Sequence, residues 1–239
     1  MHLWRIQLDV ATLDAPDLLP LLSPDERARA DRLRIPARRD AFVTCRGLLR
    51  CVLSRYLDVA PDRLRFRCGP SGKPVLEDAT GPDALEFNLS HSAGIALLAV
   101  TRERAIGVDV ERIDPRAPVE RLAARYFSPR EAAAIRALPE PDRPGAFFAR
   151  WTCKEAFVKA RGDRLRPALG RVEVSLEPDG SGAVLNVSGD PDASARWRAV
   201  RLAPADGYAA ACVAEGHDWR LRCWAWAESG DPCRADIDR

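Results

Sequence analysis

The 239-residue sequence predicts an α+β protein of two similar lobes, each an antiparallel sheet packed with helices. Three observations predict it. Each half reads in the same order: a strand, a capped helix, a long helix and then antiparallel strands. The pattern Ser-Pro-x-Glu, a capping box with proline in the first helical turn, occurs once per half, at Ser23–Glu26 and Ser128–Glu131. Between the halves lies Ile106-Gly-Val-Asp-Val-Glu111, a strand carrying two carboxylates at a junction where ligand sites tend to gather. The expected division is 1–104 for the N-terminal lobe, 105–227 for the C-terminal lobe, and a flexible polar tail over 228–239.

Bulk composition narrows the class. A chain of this length exceeds the usual single domain but suits one compact two-lobed unit. Hydrophobic residues at 46% supply a core, and 30% charged residues with no apolar run near the ~20 residues of a bilayer span argue against a membrane protein. The first twenty residues lack the basic-then-apolar layout of a signal peptide and alternate instead, with Leu3, Ile6, Leu8 and Val10 reading as an opening strand. Seven cysteines form no Cys-x-x-Cys pair, which fits reduced thiols, most of them small core residues, in a cytoplasmic protein. The net charge of +2 says little, but Arg27, Arg29, Arg32, Arg34, Arg38, Arg39, Arg46 and Arg50 crowd one region. Nucleic acid, phosphates or an acidic protein can meet such a cluster; an exposed arginine-rich helix face is the commoner case.

In chain order, the first capped helix is interrupted at Pro36, and a longer helix runs from about Arg38 to Leu57. Its apolar positions, from Ala41 and Phe42 through Leu48 and Leu49 to Leu57, follow the helical period, while Thr44 and Arg46 fall off the densest part of the stripe. Leu64–Cys68 alternates like a strand and enters Gly69–Pro74, a turn presenting Lys73. That turn lacks the spacing of a phosphate loop, and Pro74 stands where the magnesium-binding hydroxyl would be. Leu85–Leu89 is a strand ending in Ser90-His91-Ser92, Ile95–Val100 is a buried strand, and Thr101–Arg104 turns back into the acidic strand. In the second half, helices are expected from Ser128 to about Leu138 and over Gly145–Arg161. Strands follow at Val172–Leu176, Ala183–Val187, Arg196–Leu202, Tyr208–Ala214 and Trp219–Trp226, with turns at Pro178–Gly180 and Pro204–Gly207.

Two stretches carry chemistry. On a strand, Ile106, Val108 and Val110 share one face, and Gly107, Asp109 and Glu111 the other. Like charges side by side repel by up to ~4 kcal/mol at 4 Å and an effective dielectric near 20. A cation reverses that sign, and two carboxylates with open positions suit Mg²⁺ completed by phosphates and water. Taken alone, a solvated edge strand is the more ordinary explanation. On the late helix, Trp151, Glu155 and Lys159 share one narrow sector, beside an apolar seam of Phe147, Trp151 and Val158. A surface Glu–Lys pair of this spacing contributes only ~0.3–0.5 kcal/mol, but the tryptophan beside it places the pair near the lobe interface. If Glu155 faces Asp109 and Glu111, three carboxylates converge and a divalent cation becomes close to obligatory. Ser90 and His91 supply donors nearby, and three histidines are too few for a histidine-built metal site.

Gly72-Lys73-Pro74, Phe87-Asn-Leu-Ser90-His91-Ser92, Ile106-Gly-Val-Asp109-Val-Glu111, Phe127-Ser128 and Trp151-Thr-Cys-Lys154-Glu155-Ala-Phe-Val-Lys159 occur in that order. They resemble the signature blocks of 4′-phosphopantetheinyl transferases, specifically the monomeric, two-lobed type that activates surfactin synthetase. The resemblance spans roughly residues 23 to 160; the C-terminal strands are similar in layout only. It implies a pseudo-duplicated fold and Mg²⁺-dependent transfer of the phosphopantetheine arm of coenzyme A to a serine of an apo acyl- or peptidyl-carrier protein. The other product is adenosine 3′,5′-bisphosphate, and the carriers are those of fatty acid, polyketide or nonribosomal peptide synthesis. By that resemblance Asp109, Glu111 and Glu155 hold the metal, and Glu155 takes the serine proton directly or through water. Lys159 neutralises the pyrophosphate, Ser90 and His91 contact coenzyme A phosphates, and Lys73 with Pro74 borders the adenine end. Thr44 with Arg29 takes the 3′-phosphate.

No Ser–His or Cys–His nucleophile is evident, which fits direct attack by the substrate's serine. Arg112, Arg116, Arg121 and Arg125, with the Arg38–Arg50 helix, would dock an acidic carrier surface. Two other readings remain: a Mg²⁺-dependent nucleotide phosphohydrolase, which would act without a carrier, and a non-catalytic module binding carrier proteins or nucleic acid. The module has no need of four charges together at Asp109, Glu111, Glu155 and Lys159. Its nucleic-acid form also lacks aromatics interleaved with the basic residues. Neither nucleic acid nor membrane is an expected partner.

Overall fold

The computed structural model describes residues 1–8, 15–69, 72–77, 84–163, 168–177, 179–226 and 232–234. The expectations for Val10, for Pro178 and for most of the 228–239 tail lie outside these residues.

The chain runs β1 (His2–Gln7), α1 (Ala15–Leu18), α2 (Pro24–Asp31), α3 (Pro36–Leu57), β2 (Phe66–Cys68), β3 (Pro74–Leu76), β4 (Leu85–Ser92), β5 (Ile95–Arg102) and β6 (Ile106–Arg112). It continues through α4 (Val119–Tyr126), α5 (Pro129–Arg136), α6 (Arg143–Arg161), β7 (Val172–Leu176), β8 (Gly182–Val187), α7 (Ala193–Arg196), β9 (Trp197–Leu202), β10 (Tyr208–Glu215), β11 (Arg222–Trp226) and β12 (Pro232–Arg234). Both capping boxes form, with Ser23 and Ser128 each accepting from the backbone of the glutamate three residues on. Pro36 does not interrupt a helix but opens α3, its missing N–H falling where a helix start leaves one unused. The helix α4 has no counterpart among the sequence expectations; Val119 and Ala123 bury it against Phe127, Ile135 and Phe147.

The two sheets run β12-β11-β1-β5-β4 and β6-β10-β9-β8-β7. Within each, the first strand of its half pairs antiparallel with the last strand, which pairs antiparallel with the one before it: β1-β5-β4 mirrors β6-β10-β9. Period-two alternation gives every strand two faces. Leu3, Leu97 and Ala99 pack across a shared core onto Ile106, Val108, Val110 and Cys212. The outer face of the first sheet, with Trp4, Leu98 and Val100, takes Leu49, Val52 and Leu53 of α3. That of the second, with Ala211 and Val213, takes Ala156, Phe157 and Ala160 of α6. The result is four layers, helix, sheet, sheet and helix.

Pairing corrects the expected division at residue 227. β11 leaves the second lobe and runs parallel to β1, and β12 pairs with β11 in what was expected to be a loose tail. The cause is an edge: without β11, β1 would present a row of unpaired backbone groups. β11 also brings Trp224 to stack on Trp4 at 6.0 Å between ring centres. The start of the expected strand, Trp219–Leu221, instead buries Trp219 and Leu221 in the core between the sheets. Of the cysteines, Cys45, Cys153 and Cys212 are buried, and burial pushes each thiol up to about 12, so they serve as core residues and not as nucleophiles.

Among the described glycines the tightest approach is at Gly107. A Cβ there would overlap Ala156 O and meet Ala160 N of α6 at 2.5 Å. Gly107→Ala must therefore push α6 off β6, and a stability loss of about 1–3 kcal/mol or more is expected, read as a lower urea midpoint. Gly145→Ala near the start of α6 meets nothing within 4 Å and leaves the midpoint unchanged or higher; equal losses at both positions would refute the close contact.

Candidate active site

β4 and β6 are each an edge strand of their sheet, and they lie side by side without forming a backbone ladder. Side chains bridge them. Asn88 Oδ1 accepts from the Val108 N–H at 2.8 Å, satisfying a buried edge donor. Ser90 Oγ donates to Asp109 Oδ1 at 2.8 Å. Ser92 Oγ donates to Glu111 Oε2 at 2.7 Å and accepts from the Arg112 N–H at 3.1 Å. Alternation places Asn88, Ser90 and Ser92 on one face of β4, so one polar side chain meets each successive register of β6.

Because α6 lies so close on Gly107, its side chains reach this seam. Lys159 Nζ sits 2.5 Å from Asp109 Oδ1 and 3.8 Å from Glu155 Oε2. Asp109 is 1% and Glu155 8% exposed. Burial pushes the Asp109 and Glu111 carboxyls above their ordinary range. Burial, then the neighbouring Asp109 charge, pushes Glu155 up to about 8, with Lys159 opposing. Asp109 Oδ2 is buried with no hydrogen-bond partner. Among the described residues no three His, Cys, Asp or Glu side chains are gathered as a ready metal cage; the Lys159 ammonium lies between the acids instead. An orphaned carboxylate oxygen inside a crowded acidic set is nonetheless the donor chemistry a hard divalent cation takes.

The structure thus brings Ser90, Asp109, Glu111, Glu155 and Lys159 together. His91 points to the opposite face of β4 and is exposed, yet partial burial and the charges of Lys159 and Arg46 push its pKa down. Lys73 donates to Ile106 O at 3.1 Å, tying the β2–β3 hairpin to the start of β6, and Pro74 opens β3. Thr44 is buried on α3, and the Arg29 guanidinium lies 5.4 Å from the Phe42 ring centre. No hydrogen bond or ion pair among the described residues links Arg29, Thr44 or Pro74 to the acids. Arg112, Arg116, Arg121 and Arg125 are all exposed.

Sequence reasoning named Arg46 within the arginine cluster but gave no role of its own to this residue, which approaches the same Phe42 ring at 5.8 Å and faces His91. It also gave no role to Asn88 and Ser92, although their period-two spacing with Ser90 was readable. The largest omission is Lys154, 0% exposed in the middle of α6. Its ammonium donates to Glu131 Oε2 at 2.7 Å and lies 4.4 Å from the Phe127 ring centre. The Glu131 carboxylate also accepts from the Ser128 and Val174 N–H groups at 2.8 and 2.9 Å. One buried carboxylate therefore closes the cap of α5, holds β7 and anchors α6 next to Glu155.

A two-lobed α+β enzyme with buried acids and a lysine at the lobe seam is the class that this fold and site define. Residues 105–213 match the 4′-phosphopantetheinyl transferase superfamily, and residues 14–103 match the 4′-phosphopantetheinyl transferase N-terminal family. The chain is 39% identical to the 4′-phosphopantetheinyl transferase HetI of Nostoc sp., over 94% of this chain and 91% of that protein. It is 32% identical to the 4′-phosphopantetheinyl transferase Sfp of Bacillus subtilis, over 68% of this chain and 70% of that protein. A solved holo-[acyl-carrier-protein] synthase of Thermotoga maritima is 28% identical with a TM-score of 0.38, covering 47% of this chain and 62% of that one. The chain belongs to the 4′-phosphopantetheinyl transferase superfamily and is of the Sfp-like type.

Glu131→Ala would strand a buried ammonium, and a loss of about 3–5 kcal/mol in unfolding free energy is expected. Glu131→Leu combined with Lys154→Met removes both charges and should recover most of that loss; a double variant as unstable as the single one would show that the pair is not the anchor.

Proposed function

We propose that the protein transfers the 4′-phosphopantetheine group of coenzyme A to a serine hydroxyl of an apo acyl- or peptidyl-carrier protein, releasing adenosine 3′,5′-bisphosphate. It acts as a cytoplasmic, Mg²⁺-dependent monomer; no helix among the described residues is long and apolar enough to cross a membrane. The observation that carries this reading is the reach of Lys159 from α6 to Asp109 on β6, with Glu155 of the same helix 3.8 Å from that ammonium. Membership of the family and the names of HetI and Sfp supply the substrate class.

The serine oxygen forms a bond to the phosphorus that bears pantetheine, and the bond from that phosphorus to the bridging pyrophosphate oxygen breaks. A carboxylate poised near neutral pH is a competent proton acceptor for the serine, and Glu155 has that poise through its burial beside Asp109. Lys159 meets the pyrophosphate charge. Asp109, with its unpartnered oxygen, Glu111 and Glu155 would hold Mg²⁺. The metal, when bound, neutralises charge that develops on the phosphoryl oxygens. Ser92 fixes the rotamer of Glu111, and Asn88 and Ser90 fix β6 against β4. His91, Arg46, Arg29 and Thr44 line the approach for the phosphates, and Lys73 with Pro74 borders the adenine end. The exposed Arg112, Arg116, Arg121 and Arg125 face an acidic carrier.

Mass spectrometry of an apo carrier incubated with the protein, coenzyme A and Mg²⁺ is expected to show one added phosphopantetheine on serine. Coenzyme A consumed without a carrier would favour a hydrolase instead. Glu155→Gln should cut transfer by about 10²–10⁴-fold while coenzyme A still binds in calorimetry; wild-type turnover would remove Glu155 from proton transfer. Asp109→Asn should require more Mg²⁺ for half-maximal rate, and an unchanged Mg²⁺ profile would dismiss Asp109 as a ligand.

A further inference from the structure

Lys159 has no donor to spare. An ammonium carries three N–H groups, and three acceptors surround it inside the protein: Asp109 Oδ1 at 2.5 Å, Ser90 Oγ at 3.1 Å and Val108 O at 3.4 Å. The Ser90 hydroxyl in turn donates to the same Asp109 oxygen, closing a three-membered ring of hydrogen bonds. Glu155 Oε2 lies 3.8 Å away, so one cation serves both acids. Asp109 Oδ2 is buried beside this ring and left unpartnered.

We propose that Lys159 is the built-in counter-ion of the free enzyme, occupying the carboxylate junction that the metal needs, so that Lys159 and the divalent cation compete until a substrate anion draws the lysine away. The proposal rests on Asp109, Glu111 and Glu155 being the metal ligands. In the free protein Lys159 neutralises Asp109 and Glu155, and a divalent cation entering there meets a like charge. When a pyrophosphate arrives, Lys159 exchanges internal acceptors for phosphate oxygens, and the acids are released to bind metal. Metal and coenzyme A then enter as a coupled pair, each strengthening the binding of the other, as linkage requires. One consequence is that the acids stay neutralised and ordered between turnovers. Another is that metal alone binds weakly.

The test uses Mn²⁺ as a spectroscopic probe, with the free ion followed by electron paramagnetic resonance and no coenzyme A present. Lys159→Met is expected to bind Mn²⁺ at least tenfold more tightly than the wild type. Arg161→Met removes another cation from α6, one that pairs with Asp163 at 2.9 Å and not with Asp109, Glu111 or Glu155, and is expected to change the affinity by less than threefold. Wild-type affinity in Lys159→Met, or an equal gain in Arg161→Met, overturns the proposal. Failure of the wild type to bind Mn²⁺ even with coenzyme A overturns the metal-site reading itself. A second measurement needs no variant. The sequence holds only three lysines, Lys73, Lys154 and Lys159, so reductive methylation followed by peptide mass spectrometry reports each separately. Saturating Mg²⁺ should speed methylation of Lys159 at least threefold and leave buried Lys154 unmodified. A Lys159 rate indifferent to Mg²⁺ overturns the proposal.

Discussion

The chemistry at the seam depends on how closely α6 lies on β6. Gly107 and the small residues Ala156 and Ala160 let helix and strand backbones approach until no Cβ fits between them. At that distance a lysine reaches a strand carboxylate two residues beyond the glycine and stays beside the glutamate one helical turn before it. With a larger residue at 107 the helix would stand off, and Asp109 would be left buried without a counter-ion, which is strongly unfavourable. Glycine here is thus a condition for burying the acids at all. The Glu131–Lys154 pair fixes the same helix from its far side, so α6 is held by close packing on one flank and by a buried ion pair on the other.

The first lobe contains the same anchor without the chemistry. There Glu26 closes the cap of α2 and takes Arg50 of α3 at 2.7 Å, as Glu131 closes the cap of α5 and takes Lys154 of α6. The two helices correspond in sequence: Arg46, Arg50, Cys51 and Arg55 occupy the spacing of Arg150, Lys154, Glu155 and Lys159. Cys51 stands where Glu155 would be. On β1, Trp4 and Ile6 face α3, where β6 turns Gly107, Asp109 and Glu111 toward α6. A duplicated frame therefore retains its structural ion pair in both copies and places acids in one. The pairing is what the fold requires; the acids are what one lobe adds to it.

That distinction explains what the sequence could tell. The long helices, both capping boxes and most strands were legible because periodicity and caps are local. Spacing showed that Asp109 and Glu111 share one strand face and Glu155 and Lys159 one helix sector, while their joining in one site was implied by the family resemblance. The return of β11 to β1 was not legible, since no local pattern says which sheet a late strand joins; an open edge elsewhere in the fold decides it. Lys154 was missed for a related reason. A lysine in an apolar helix stretch reads as exposed until its buried partner, 23 residues earlier, is brought beside it.

The site stands where the two sheets fail to merge. Had β4 and β6 joined in one ladder, the Val108 N–H would bond to backbone, and Asn88 would have no function there. The unpaired edges instead require side chains that can satisfy backbone groups, and strand alternation supplies a column of them in Asn88, Ser90 and Ser92. Polar side chains at a buried edge then make it tolerable to place carboxylates opposite, because each acid has a donor waiting. A seam between like lobes is in this sense a place where acids can be held at once buried, separated and oriented. A continuous sheet would leave room for none of the three.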